Sequence, residues 1–527
     1  MFMPFKVLIT TSGVGSRLGE FTKFTNKSLL RIGNKPAISY IIESYPQDTE
    51  FVITLGYFGE QVKNFLLIAY PERKFEFVWV EKYEGEKSSL LFSLSHAKDL
   101  LQAPFIFHAS DTIILDNIPA PNYNWNAGYK GKGSSSYASF DVMGSRVSAM
   151  YEKGNLNPDF LHVGLVGICD FELFWNLVDK ILIEENYGFT LGDVDVLKRM
   201  VSLSEFDVFE CKQWHDIGNV DKMNEAKSQL DQGDIHVLDK LGESIFKVNG
   251  KIIKFFYDEV ICNNRIKRNG HLKGIVPEIT TSAKNFYSYD YVKGDLFANV
   301  ANNSNFPEFL NWAKLNLWKE TDTVSKEKLK ELCIDFYFNK TEKRLSDFYN
   351  SRGIEDKVET INGEVIPKIS TMLSQINKEE LCDAKPTLFH GDFILDNILK
   401  VDEDNFILID WRQDFAGELV AGDKYYDLGK LAHNLVVNHE LIDNNHFYIK
   451  KEKGDSISIN IHRFQSLVDC EQKLFEWLKE NSYDVRKVKI LRAIIWLNMS
   501  PLHHHPFDLF LYYFGKYNLY QALKNGK

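Results

Sequence analysis

Over the first 230 residues, short apolar runs alternate with stretches of helical spacing, the pattern of an α/β protein with buried strands. Residues 5–11, 51–57, 75–80 and 104–111 read as strands, 59–69 as a helix, and a further helix is predicted from about 90 to 101. A helix-like stretch at 223–230 gives way to Asp231-Gln232-Gly233-Asp234, a turn signal that puts a boundary near 232. From 236 the pattern changes. Apolar runs at 244–248 and 251–256 flank Asn249-Gly250, the strongest short-range hairpin signal. An aromatic run at 286–292 reads as another strand, and segments rich in Trp, Leu and Phe at about 305–350 read as helices. Later, two apolar runs enclose a polar loop: 389–399 holds His390, Asp392 and Asn397, and 407–411 ends in Asp410-Trp411. Two domains are expected, 1–232 and 236–527, the second with a small lobe at about 236–300 and a large lobe at about 301–527.

Composition narrows the class. A chain of 527 residues is too long for one core. Its 44% hydrophobic and 14% aromatic content is that of a folded protein, not of a disordered one. No apolar run approaches a membrane span and the N-terminus lacks signal-peptide architecture, so no membrane partner is expected. Six widely separated cysteines without a CxxC pair point to reduced thiols, no cysteine zinc site and a cytoplasmic location. A net charge of −11 argues against a nucleic-acid partner, since a polyanion wants a basic face. Small-molecule substrates are expected, with a homodimer as the candidate assembly.

The chemistry-bearing residues fall into two sets. In the first domain, the strand at 5–11 opens into Ser12-Gly13-Val14-Gly15-Ser16-Arg17-Leu18. Glycine lets a backbone approach an anion, and the exposed N–H groups of such a loop can bind phosphate. A Gly-x-Gly loop alone has many uses; here Arg17 and Lys27 follow, two cations able to neutralise a triphosphate and the pyrophosphate it releases. The strand at 104–111 ends on Asp111, and an acid at the carboxyl end of a strand in an open sheet points into the ligand crevice. In the second domain, phosphoryl transfer to a hydroxyl needs a carboxylate beside the acceptor and two oxygen ligands for Mg²⁺ on the ATP phosphates. Asp392, Asn397 and Asp410 supply that set in order.

The first set resembles the signature of nucleotidyltransferases that activate sugar phosphates, with Gly13, Gly15, Arg17 and Lys27 on its key positions. It departs at Thr10-Thr11-Ser12, where small apolar residues are usual, and at Asn26, where proline is usual. The resemblance implies a Rossmann-like fold with a mixed sheet flanked by helices. It assigns Gly13, Gly15 and Ser16 to the nucleotide, Ser88 and Ser89 to the loop that holds the base, and Mg²⁺ to Asp111 and Asp216. It also gives the acceptor phosphate to Lys153 and Gly164. Ser88 and Ser89 also suit helix caps. Glu152-Lys153 also reads as surface charge, and Asp216 belongs to Trp214-His215-Asp216-Ile217-Gly218-Asn219.

The second set, with Asp427-Leu428-Gly429 behind it, resembles the aminoglycoside phosphotransferase and choline kinase family, a branch of the protein-kinase-like fold. That resemblance implies a bilobal α+β domain using ATP and Mg²⁺. Asp392 would be the catalytic carboxylate, Asn397 and Asp410 the metal ligands, and His390 and Asp427 supports of the loop. Lys254 would contact the ATP phosphates, with Lys251 as second choice and Glu259 as a weak partner. Trp411 and Arg412 would line the acceptor site. An Arg there suits hydroxyls or a carboxylate and opposes a quaternary cation. The stretch His503-His504-His505 is expected to form a loop at the acceptor site instead of a metal site, because three consecutive side chains converge poorly on one ion.

The combined expectation is a bifunctional enzyme. Its kinase half phosphorylates a sugar, polyol or sugar acid, and its nucleotidyltransferase half turns the product into an NDP-activated donor for surface glycan synthesis. CTP is slightly favoured as the NTP. Two alternatives stand beside it: a choline kinase fused to a phosphocholine cytidylyltransferase making CDP-choline, and a protein in which one half is a nucleotide-sensing pseudoenzyme.

Overall fold

The computed structural model describes residues 5–131, 134–188, 190–230, 241–452 and 456–524. The boundary near 232 and the start at 236 lie outside the described residues. By packing, the chain forms two compact units: Met1–Cys262 with Thr280–Tyr291, and Asn263–Ile279 with Val292–Lys527.

The first unit is built on a nine-stranded mixed sheet. In spatial order its strands are Lys74–Trp79, Glu50–Leu55, Lys6–Thr10, Phe105–Ala109, Phe160–Ile168, Trp125–Tyr129, Asp207–Cys211, Arg146–Tyr151 and Ser139–Met143. The first four run parallel, and Phe160–Ile168 joins them antiparallel. Because side chains alternate across a strand, the run Val7, Leu8, Ile9 serves two cores. Val7 and Ile9 pack with Ile38, Val62 and Phe65, and Leu8 packs with Leu91, Trp175 and Val178. Helices on both faces therefore explain why the run is apolar throughout.

The helix expected to reach 101 stops early. It spans Leu90–Ser95, and a separate 3₁₀ turn covers Lys98–Leu100. Ser95 Oγ donates to the Phe92 carbonyl at 2.8 Å, and His96 Nδ1 lies 2.9 Å from the same oxygen. Such local side-chain bonds compete with continuation of the helix.

The hairpin forms as expected. Glu243–Val248 and Lys251–Phe256 pair antiparallel around Asn249 and Gly250, both at positive φ (50° and 72°). With Phe286–Asp290 and Ile279–Ala283 they make a four-stranded sheet. Phe246, Val248, Ile253, Phe255 and Phe286 pack into the first unit's core.

The second unit is mostly helical. Helices Lys326–Ile334, Lys340–Arg352, Lys424–Asn434, Val485–Met499 and Phe507–Lys524 surround a core that includes Phe336, Phe389, Phe415, Trp496 and Phe510, and helices Asn305–Asn316 and Gln465–Glu480 pack on each other. A small sheet of Asp295–Leu296, Ile398–Lys400 and Phe406–Leu408 presents the polar loops at its edge. Among the described residues no helix is long and apolar enough to cross a membrane. No disulfide links any of the six cysteines, all of which are among the described residues.

Candidate active sites

In the first unit the glycine loop folds back over Lys27. Gly15 sits at φ 72°, and a Cβ there would come within 3.1 Å of Lys27 Cβ and 3.2 Å of Thr22 Cγ2. No side chain larger than hydrogen suits that approach. Asn26, the departure from proline, is fully buried. Its Nδ2 donates to the Thr11 and Tyr57 carbonyls at 2.8 and 2.6 Å, and its Oδ1 accepts from the Ser28 N–H at 2.9 Å. Three backbone groups tied by one side chain hold the Lys27 segment against the strand ends, which is a hydrogen-bonded substitute for a proline's rigidity. Lys27 Nζ then reaches Asp111 Oδ2 at 2.9 Å.

Asp111 lies in the tight turn between Phe105–Ala109 and Thr112–Ile114. Buried His108 closes that turn, with Nδ1 2.8 Å from Tyr45 Oη and Nε2 2.9 Å from the Thr112 carbonyl. Burial pushes its imidazole down to about 4, so it is neutral at ordinary pH. Strand pairing brings in the second acid, with Asp216 opposite Thr112 and the Ile217 N–H donating to the Asp111 carbonyl at 3.0 Å. A Cβ on Gly218 would lie 3.0 Å from Asp216 Oδ1, 3.2 Å from Arg17 Nη2 and 3.6 Å from Asp111 Oδ2. Both acids and the loop arginine thus converge on one small space. Burial pushes the Asp111 carboxyl up, but Lys27 and Arg17 outweigh it and hold the group below the usual carboxylate range. Two carboxylates bordering one small space suit Mg²⁺, which takes one or two protein carboxylates and completes its shell with waters and substrate phosphates.

Gly218 and Tyr137 were not singled out in the sequence. The Gly218 N–H donates to Asp216 Oδ1 at 2.7 Å, and Tyr137 Oη donates to Oδ2 at 2.8 Å. Gly218→Ala is expected to lower nucleotidyl transfer about tenfold while leaving the urea midpoint nearly unchanged. Its methyl would displace Asp216 and Arg17 by a few tenths of an ångström, and misplacement on that scale is costly at a reacting centre.

The remaining first-unit candidates stand as follows. Gly13 borders open space, and Ser16 and Arg17 are exposed. Ser89 caps its helix by accepting from the Phe92 N–H at 3.0 Å, and Ser88 Oγ donates to the Gly85 carbonyl at 2.7 Å. Lys153 is exposed on a loop. Gly164 has φ 75°, and a Cβ there would meet Ala109 Cβ at 2.9 Å, so packing alone requires glycine. Lys254 is 2% exposed on its strand, paired across to Ile245 and Tyr287. Glu259 instead pairs with Lys284 at 3.0 Å.

In the second unit the polar loop is held from beneath. Asp427, fully buried, accepts from the His390 N–H at 2.8 Å, the Gly391 N–H at 2.7 Å and Trp318 Nε1 at 3.1 Å. Burial pushes its carboxyl up to about 6, against the pull of those donors. Asp427→Asn offers one acceptor to donors on both oxygens. It is expected to cost about 1–3 kcal/mol, read as a lower urea midpoint. Buried His390 lies with Nε2 2.9 Å from the Ile409 carbonyl, and Nδ1 accepts from the Asp392 N–H at 3.3 Å. Burial lowers it to about 4, which suits a neutral strut and not a base. Arg268 clamps the loop further, donating to the Phe389, Arg412 and Leu419 carbonyls.

Asp392, Asn397 and Asp410 come together at this loop. Asn397 Nδ2 donates to the Asp392 carbonyl at 2.9 Å and to Asp392 Oδ2 at 3.2 Å. The Ile409 N–H donates to the Asn397 carbonyl at 2.9 Å, which ties the residue before Asp410 to Asn397. Asp410, at φ 60°, meets Arg265 Nη1 at 2.5 Å. Lys430 Nζ lies 2.8 Å from Asp392 Oδ1. Burial raises the Asp392 carboxyl, but Lys430 overrides it and holds the group at about 2. The oxygen donors of Asn397 and Asp410 fit Mg²⁺ as a pair that substrate phosphates would complete. Lys430 and Arg265 were missed, although Lys430 directly follows Asp427-Leu428-Gly429. Trp411 is fully buried with Nε1 donating to the Arg265 carbonyl at 2.9 Å, so it packs in the interior. His503 packs on the Phe507 ring and His505 Nδ1 lies 3.5 Å from Asp508. Among the described residues no group of three or more His, Cys, Asp or Glu side chains could hold a metal ion.

No family model matches the chain. Over 64 residues it is 38% identical to a Bacillus subtilis (strain 168) protein named probable glucose-1-phosphate cytidylyltransferase. That match covers 12% of this chain and spans a quarter (25%) of the curated relative's length. Among solved structures, similarity is found to the CTP:phosphocholine cytidylyltransferase of Streptococcus pneumoniae: 19% identity, 44% of this chain, 100% of that one, TM-score 0.38. A UDP-glucose pyrophosphorylase is similar at 17% identity, over 43% of this chain and 98% of that one, also with TM-score 0.38.

Proposed function

We propose that the first unit transfers a nucleotidyl group from an NTP to a phosphorylated small molecule, and that the second unit makes such a molecule by ATP-dependent phosphorylation of a hydroxyl. The observation that carries the reading is the convergence of Arg17, Asp111 and Asp216 beside Gly218, with Lys27 on Asp111. In the first reaction an acceptor phosphate oxygen attacks the α-phosphorus and pyrophosphate leaves. A phosphate is already a nucleophile, so the chain needs no covalent intermediate and no general base. Arg17 and Lys27 neutralise the triphosphate and align it. Mg²⁺, when held by Asp111 and Asp216, supplies further positive charge at the phosphate oxygens. The curated relative's name supports a cytidylyl donor.

In the second reaction Asp392 orients the acceptor hydroxyl and takes its proton, while Asn397 and Asp410 would hold Mg²⁺, whose charge would offset that of the ATP phosphates. Together the two steps yield an NDP-activated donor, CDP-linked when CTP is used. The test is pyrophosphate release by the full-length protein, measured with each of four NTPs against a library of phosphorylated acceptors. Fastest release with CTP is expected. No release above background with any NTP from folded protein would reject nucleotidyl transfer.

A further inference from the structure

Near Asp392 the second unit gathers more cations than carboxylates. Phe336 lies in a π-helical turn, Asp335–Asn339, a distortion that is frequent at functional sites. Its ring carries Lys340 Nζ at 3.8 Å from the centroid and the Arg412 guanidinium at 5.1 Å. Arg412 packs against the catalytic-type loop itself, since a Cβ on Gly391 would meet Arg412 Cβ at 2.6 Å, and the Arg412 N–H donates to the His390 carbonyl at 3.0 Å. One turn along the helix from Lys340, Arg344 donates to the Asn498 carbonyl at 3.0 Å, and the buried Asn498 Oδ1 has no partner. Among the described residues Lys340, Arg344 and Arg412 form no ion pair; their bonds go to backbone carbonyls or aromatic faces. Of the nearby carboxylates, Asp392 is already matched by Lys430, and Asp414, whose carbonyl accepts from Arg412 Nε at 3.0 Å, turns Oδ1 to the Gly417 N–H at 3.1 Å. Burial first, then Arg412, Arg344 and Lys430, push the Lys340 ammonium down to about 6 against the opposing pull of Asp414, the expected response to crowded positive charge.

From this juxtaposition we infer that the acceptor phosphorylated beside Asp392 is a small hydroxy acid, whose carboxylate is held by Lys340 and Arg412 with Arg344 behind them. The inference rests on the kinase reading of this unit and adds the substrate class. A planar carboxylate suits a guanidinium, and pairing in a half-buried site is worth more than at the surface. A phosphate ester would also satisfy the cations. A molecule already carrying phosphate, however, could go straight to nucleotidyl transfer without a kinase. A quaternary ammonium is disfavoured by the same cations. The transfer balances simply. The hydroxyl oxygen bonds to the γ-phosphorus, the bond from that phosphorus to the ADP oxygen breaks, and the hydroxyl proton passes to Asp392 and then to water.

The test uses the full-length protein with matched acceptors: glycerate against glycerol, gluconate against glucitol, with glycerol 3-phosphate and choline as further arms. ADP formation gives kcat/KM, and calorimetric binding beside a non-hydrolysable ATP analogue gives affinity. The acids are expected to lead in both readouts. Lys340→Met and Arg412→Gln should each lower kcat/KM for the acids about 10- to 100-fold, the value of one lost charge-assisted contact. In both variants the acids should lose more than the neutral polyols, and Lys340→Arg should restore most of the Lys340→Met loss. Tighter binding of neutral polyols, of glycerol 3-phosphate or of choline would overturn the inference. Binding of the acids without ADP formation would leave the anion site standing and remove the kinase reading instead.

Discussion

Asp392→Ala is expected to reduce ATP-dependent phosphorylation of the acceptor by about 10²–10⁴-fold while leaving nucleotidyl transfer to an authentic phosphorylated acceptor unchanged. The carboxylate accepts from Asn397, is matched by Lys430 and sits on a loop bolted down by Asp427 and Arg268, so its position is fixed by many bonds. Truncation removes the oxygen proposed to receive the hydroxyl proton and leaves the Lys430 ammonium without its partner. Coupled ADP and pyrophosphate assays on one preparation read both activities. Loss of both from a folded variant would reject two independent sites. A stability check accompanies this substitution. A carboxyl held at about 2 stabilises the fold fully above its ordinary value of 3.8, and that contribution is lost as the pH falls towards 2. The variant's midpoint should therefore approach the wild type's at acid pH and lie below it at neutral pH.

Asp111→Ala is expected to do the reverse, lowering pyrophosphate release by about 10³-fold or more and leaving phosphorylation intact. Removing it leaves one carboxylate, Asp216, for the proposed Mg²⁺ and frees Lys27 from its 2.9 Å contact. Electrostatic alignment is the whole of the chemistry proposed there, and losing a single preorganised group in such sites costs orders of magnitude. Asp111→Asn, which keeps the shape but not the charge, should fall nearly as far. Equal pyrophosphate release by the wild type and both variants would show that the space beside Gly218 is not where the triphosphate reacts.

Much of this arrangement was legible from residue order. Alternating apolar runs marked the strands of the first sheet, Asn249-Gly250 marked a hairpin, and the loop holding Asp392 and Asn397 declared its polar contents between two apolar runs. Those signals are local, because side-chain period and turn propensity act over a few residues. The early end of the helix at Ser95 escaped notice because two polar side chains compete for one carbonyl, a choice decided by rotamers and not by periodicity. Trp411 was expected to line the acceptor site, but its ring is fully buried and its indole N–H donates to the Arg265 carbonyl, a partner far off in the chain.

The chain's own order of residues determined which groups are available: a glycine loop with two cations, two acids placed after strands, and an Asp-Asn-Asp set. Tertiary structure decided who meets whom. Antiparallel register at Thr112 and Asp216 set Asp111 beside a distant acid, and helix packing put Lys430 on Asp392 and cations on Phe336. Such meetings depend on register and packing between segments far apart in the chain, for which no local pattern carries a signal.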